Sequence, residues 1–132
     1  RSWVLMATSN KKYRSGLEER FHKKASMFDF EPMKIPYVTH RNYIPDFVYQ
    51  TDTGYNVLIE CKGFFRVGDT QKYKAIRDCN KFDELIFVFT NGNKKLRKGS
   101  KMTLGQWCEK EGFKWFTEET IDELLEYLGI NK

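Results

Sequence analysis

Val57-Leu58-Ile59-Glu60-Cys61-Lys62 is a mostly apolar, partly β-branched run with charges near its end, and it reads as a buried strand. Side chains alternate along a strand, so Glu60 and Lys62 leave one face while Ile59 and Cys61 leave the other. A carboxylate and an ammonium on a buried face are costly without a compensating partner. Upstream, Tyr43 to Tyr49 is a second run of strand-forming residues, and it contains Pro45-Asp46. The break at Asp52-Thr53-Gly54 makes the two runs a predicted hairpin, which collects Asp46, Glu60 and Lys62 at one place.

Two carboxylates and an ammonium are the minimal equipment for holding a divalent metal and aiming a water at a phosphodiester. Magnesium takes hard oxygens in an octahedron and keeps several waters, which Asp46, Glu60 and the backbone carbonyl of Cys61 permit. Lys62 then orients the attacking water or stabilises charge growing on the phosphate. The competing reading is a surface salt bridge on an exposed sheet face. The preceding Pro-Asp and the hairpin favour catalysis, and the chain reads as a metal-dependent nuclease.

Composition sets the outer limits. The 132 residues suit one domain, of a size that buries about two-thirds of its unfolded surface. With 40% hydrophobic and 16% aromatic residues, disorder is excluded despite 31% charged residues. No apolar run approaches the roughly 20 residues of a membrane helix, and Trp3 to Ala7 is too short for a signal-peptide core. A soluble, unsecreted protein without a membrane partner is expected; Met6 is a candidate native start. Cys61, Cys79 and Cys108 are odd in number and form no CxxC pair, which argues against a disulfide framework or a structural zinc and fits a reducing cytoplasm. The net charge of +5 favours a polyanionic partner.

That charge is uneven. After a predicted turn at Asn91-Gly92-Asn93 come Lys94, Lys95, Arg97, Lys98 and Lys101 with no acid among them, a candidate loop for DNA phosphates. A solvated loop is the plainer alternative. Residues 1 to 13 lack periodicity and read as a mobile basic arm, from which Lys11 and Lys12, with Arg14 just beyond, are further DNA-binding candidates. Residues 14 to 132 form the single main domain. Phe64 and Phe65 follow the site and read first as core, with base stacking as the alternative. His22 and His40 are isolated and receive no role, and Trp107 and Trp115 read as core.

Ser15-Gly16-Leu17-Glu18 is a predicted capping box opening a helix whose apolar face is Leu17, Phe21, Ala25 and Phe28. Met33 to Val38 is a predicted strand, ahead of the hairpin strands. A helix from about Thr70 to Asn80 and the apolar strand Leu85 to Phe89 follow, giving the order α, β, β, β, α, β. Thr103-Leu104-Gly105-Gln106 is a second capping box, Gly112 suits that helix's end, Phe113 to Phe116 is a short strand, and Ile121, Leu124, Leu125 and Leu128 mark a final amphipathic helix. The expectation is an α/β domain around a mixed sheet.

Taken in order, Arg14-Ser15-Gly16-Leu17-Glu18, Ile35-Pro36-Tyr37-Val38, Tyr43-Ile44-Pro45-Asp46-Phe47, Ile59-Glu60-Cys61-Lys62-Gly63 and Lys98-Gly99-Ser100 closely resemble the phage endonuclease I family of Holliday-junction resolvases, within the wider Pro-Asp, Glu-x-Lys nuclease superfamily. The match runs from about Arg14 to Phe116. The resemblance implies a restriction-endonuclease-like mixed β-sheet flanked by helices, a site of Glu18, Asp46, Glu60 and Lys62, and magnesium or manganese as cofactor. By residue pattern alone Glu18 had a capping role; the resemblance makes it catalytic and a metal ligand. It further implies an intertwined homodimer in which Glu18 of one chain completes the site of the other, with residues 36 to 45 as the bridge. Prolines at both ends favour an extended bridge.

Three functions are compatible with the sequence. The first is an endonuclease acting on four-way and other branched DNA junctions in a phage-infected bacterial cell. The second is a homing or nicking endonuclease of the same fold acting on a long duplex site, favoured by a bridge a few residues shorter than the family pattern. The third is a catalytically silent DNA-binding module, disfavoured because all four site residues are present.

Overall fold

The structure, a computed structural model, describes residues 12–131. The expected arm falls mostly outside the described residues, Lys11 included. The chain divides into two compact units, one ending at Arg41 and the other beginning at Asn42.

The first unit contains helix α1 (Gly16–Lys24). Ser15 caps it by accepting from the Glu18 N–H, as the sequence predicts. The reciprocal half of the box differs: the Glu18 carboxylate accepts from the N–H of Arg14, at 2.8 Å, one residue before the cap. The helix also ends earlier than its apolar spacing suggests, with Ala25 as C-cap and Phe28 beyond it. His22 staples the following turn, donating from Nε2 to the Phe28 carbonyl at 2.7 Å while its Nδ1 meets the Tyr13 hydroxyl. No residue of α1 is buried.

Met33 to Val38 is not a strand. Pro36 removes one of its donors, Pro32 stands just before it, and no neighbouring strand lies alongside among the described residues. Its β-forming side chains consequently face solvent, Tyr37 and Val38 at 84% exposure each.

The second unit is a four-stranded mixed sheet in the order β1-β2-β3-β4, built from β1 (Phe47–Gln50), β2 (Asn56–Lys62), β3 (Glu84–Phe89) and β4 (Lys114–Thr117). The predicted hairpin is present: β1 pairs antiparallel with β2, Phe47 opposite Ile59 and Gln50 opposite Asn56. Its turn uses Gly54 at φ 85°, where a side chain would be strained. β2, β3 and β4 run parallel, linked by α2 (Asp69–Asp78) and α3 (Leu104–Glu111). The final helix α4 (Ile121–Tyr127) follows a short 3₁₀ turn.

Period-two alternation sorts the core into two layers. Leu85, Phe87 and Phe89 of β3 pack with Tyr73 of α2 and with Leu104, Trp107 and Cys108 of α3. Ile86 and Val88 pack on the other face with Val57, Phe116 and Leu124 of α4. A central strand covered on both faces needs a continuous apolar run, as Leu85 to Phe89 supplies. Thr103 and Gln106 form the predicted capping box of α3, and Gly112 ends that helix at φ 79°. Among the described residues no helix is long and apolar enough to cross a membrane.

Candidate active site

Asp46, Glu60 and Lys62 meet where β1 begins and β2 ends. The β1–β2 register sets Asp46, one residue before Phe47, at the continuation of the ladder opposite Glu60. One Asp46 oxygen accepts the Cys61 N–H at 2.9 Å, so the carboxylate is tied to the backbone of the strand carrying Glu60 and Lys62. Pro45 just before it lacks an N–H and suits the start of an edge strand.

Glu60 and Lys62 share the aromatic face, as the alternation predicts. Glu60 is only 7% exposed, and each of its oxygens receives a phenol: Tyr43 donates to Oε1 at 2.5 Å and Tyr73 to Oε2 at 3.1 Å. A buried carboxylate is tolerable only with such donors. Glu60 and Lys62 do not form the surface salt bridge of the plainer reading: Asp46 is exposed, but Glu60 is buried, and the acidic partner of Lys62 is Asp69, with Nζ 3.6 Å from Oδ2. Lys62 also lies 5.5 Å from the centre of the Tyr73 ring.

Neither tyrosine nor Asp69 stands out in the sequence. Asp69 opens α2 and Tyr73 follows at i+4, so both stand on one face of the helix. Asp69 is buried, accepts the Arg66 N–H at 2.8 Å and thereby closes the turn before the helix. Burial first, then the charge of Glu60 and its hydrogen bond, then the charges of Asp69 and Asp46, hold the Tyr73 hydroxyl far above its ordinary range. Tyr43 is raised by burial, then by its bond to Glu60 and that residue's charge, with smaller contributions from Tyr73 and Asp46. Both phenols therefore stay protonated donors. The Cys61 thiol is raised by burial and by the same two carboxylates, Asp46 and Glu60.

Among the described residues no three His, Cys, Asp or Glu side chains stand together in metal-holding geometry. Asp46 and Glu60 remain a two-carboxylate donor set. Each carboxylate oxygen has two lone pairs, so the acceptor roles already filled leave capacity for a hard cation, and magnesium is often held by one or two carboxylates with waters completing the shell. The donor chemistry fits. Glu18 belongs to the first unit, half-buried on α1 with its carboxylate on Arg14.

The basic segment forms an ordered loop. Asn91-Gly92-Asn93 turns as predicted, with the Asn93 N–H bonded to the Asn91 side chain at 2.9 Å. Beyond it the loop is pinned by Leu96 N–H to the Met102 carbonyl at 3.0 Å and Leu104 N–H to the Lys94 carbonyl at 2.8 Å. Lys94, Lys95, Arg97, Lys98 and Lys101 are all exposed, and Lys95 donates to the Lys101 carbonyl across the loop. Lys12 is exposed, and Arg14 reaches Glu31 at 3.7 Å.

Residues 2–126 match the family described as phage endonuclease I. The chain is 31% identical over 138 residues to Endodeoxyribonuclease 1 of Enterobacteria phage T3, an alignment covering 99% of this chain and 85% of that protein. It is 34% identical over 110 residues to Endonuclease I of Escherichia phage T7, covering 78% of this chain and 71% of that protein.

Proposed function

The chain belongs to the phage endonuclease I family, and from that premise we propose that it is a metal-dependent DNA endonuclease resolving four-way and other branched junctions in a phage-infected bacterial cell. The observation that carries the reading is the Asp46 carboxylate bonded to the Cys61 N–H, beside a buried Glu60 and on the strand of Lys62. Buried charge of that kind is expensive, and a protein that only needed a folded sheet would put apolar residues there.

The residues divide the work. Asp46 and Glu60 would hold magnesium or manganese, with the Cys61 carbonyl as a further oxygen. When bound, the ion supplies Lewis-acid polarisation of the scissile phosphate. Tyr43 and Tyr73 fix the Glu60 carboxylate in one orientation. Lys62, steadied by Asp69, places an ammonium where negative charge grows on the phosphate as water adds across a P–O bond. Lys94, Lys95, Arg97, Lys98 and Lys101, with Lys11, Lys12 and Arg14, grip backbone phosphates, so recognition is by shape and phosphate position.

A homodimer is part of the reading, with Glu18 of one copy completing the partner copy's site. Its support is exposed apolar surface: Leu17, Phe21, Phe28, Val38, Ile44 and Phe47 are all more than half exposed, Ile44 at 86%. A soluble monomer rarely leaves so much uncovered. Phe47 and Val48 also lie on β1, an edge strand of the sheet. The boundary between the two units, after Arg41, falls inside the segment 36 to 45 expected to bridge the copies.

The test is incubation with a four-way junction and with linear duplexes, each with magnesium and with chelator. Paired, magnesium-dependent cuts near the branch point support the proposal. A unique cut in linear duplex, or binding with no cleavage of either substrate, contradicts it.

A further inference from the structure

We propose that Phe64 is a stacking platform for an unpaired base of the DNA, acting with the loop from Lys94 to Lys101; this rests on the nuclease reading above. The segment after β2 is fixed by Phe65, which is buried among the rings of Tyr73, Phe87, Phe89 and Trp107 at centroid distances of 5.2 to 6.0 Å. With that anchor in place, the neighbouring Phe64 stays 52% exposed, two residues beyond Lys62.

A half-exposed phenylalanine alone is ordinary. This one has cationic company. The Lys94 ammonium lies 5.6 Å from the centre of the Phe64 ring. Phe64 and Phe65 line a groove of about 460 Å³ together with Lys94, Lys95, Arg97 and Lys98. An aromatic surface edged by cations is the combination that holds single-stranded nucleic acid, because any base can stack while its flanking phosphates meet the charges. The loop is itself pinned by backbone hydrogen bonds, so its charges are held near the ring before DNA arrives. A fully paired duplex offers no free base face, whereas the centre of a branched molecule can. Phe64 therefore contributes selectivity for branched DNA, and the loop contributes general affinity.

The experiment measures binding, in chelator, of wild type, Phe64→Ala, Phe64→Leu and Phe64→Trp to a four-way junction carrying 2-aminopurine at the branch point and to a matched duplex. Phe64→Ala should weaken junction binding about tenfold and abolish the 2-aminopurine response while leaving duplex affinity and the salt slope unchanged, and Phe64→Trp should restore both junction binding and the response. Lys95→Glu with Arg97→Glu should instead flatten the salt slope on both substrates. Unchanged junction binding by Phe64→Ala, an equal loss on duplex, rescue by Phe64→Leu as complete as by Phe64→Trp, or an effect confined to self-association in sedimentation would overturn the proposal. If wild type binds the junction in chelator and cuts it in a parallel assay with magnesium while Phe64→Ala matches it in both, stacking alone fails. If wild type neither binds nor cuts, the nuclease reading fails with it.

Discussion

The Lys62 ammonium stands 3.6 Å from the Asp69 carboxylate, and both side chains are largely shielded, at 22% and 12% exposure. Asp69 thus acts as a positioning residue: it limits where Lys62 can reach while its own oxygen is held by the Arg66 N–H. Asp69→Asn should lower the single-turnover cleavage rate about tenfold to a hundredfold, since misplacing a reacting group by about 1 Å can cost about a hundredfold, while junction affinity stays near wild type. The amide still accepts from Arg66, so the stability loss should be within about 1 kcal/mol. A rate unchanged beside normal folding would remove Asp69 from the site.

Tyr73→Phe strips one donor from a buried Glu60. Leaving a buried carboxylate oxygen underserved costs about 1–3 kcal/mol, measurable by urea unfolding. In combination with Glu60→Gln the losses should be non-additive by about 1 kcal/mol, because the two residues share the interaction. Additive losses would mean that the hydrogen bond contributes nothing.

Gly92 and Gly105 cradle the Trp115 indole. A Cβ at Gly92 would lie 2.2 Å from that ring and one at Gly105 2.5 Å from it. The two glycines are also joined, Gly105 N–H to the Gly92 carbonyl at 2.9 Å. Either change to Ala should destabilise the protein by about 1–3 kcal/mol and shift Trp115 fluorescence, and Trp115→Phe should relieve part of the loss. Wild-type stability in both alanine variants would contradict the close packing.

The three thiols should separate by reactivity. Cys79 and Cys61 are exposed and Cys108 is buried. Burial, then the charge of Glu109, pushes the Cys108 thiol up, and burial with the charges of Asp46 and Glu60 raises Cys61, so both hold less thiolate at neutral pH. Labelling with a disulfide reagent followed by peptide mapping should show Cys79 first and Cys61 later, with Cys61 accelerating as pH rises above its ordinary range. Cys108 should react only on unfolding. Early labelling of Cys108 in native protein would contradict its placement in the core.

What could be read from residues alone divides along physical lines. The shared face of Glu60 and Lys62, the hairpin, the Thr103 capping box and the left-handed Gly112 all rest on local rules, and all are present. Glu18 half-followed its rule, because the competing donor of Arg14 lies one residue from the one a capping box uses. Met33 to Val38 has the side chains of a strand, yet a strand needs a neighbour, and Pro36 was the one residue within the run that argued against pairing. Tyr43, Tyr73 and Asp69 join the candidate site through packing of separate elements, which no spacing pattern encodes. The basic loop was visible as composition; its proximity to Phe64 was not.

On the proposed mechanism Asp46, with Glu60 and Lys62, runs phosphodiester hydrolysis. Single-turnover cleavage of a labelled four-way junction by Asp46→Asn, in magnesium and beside wild type, tests it most directly. The expected result is a rate at least about a thousandfold lower, as when a group acting in the transition state is removed, with junction affinity preserved. Cleavage by Asp46→Asn at a rate near wild type would exclude Asp46 from the catalytic step.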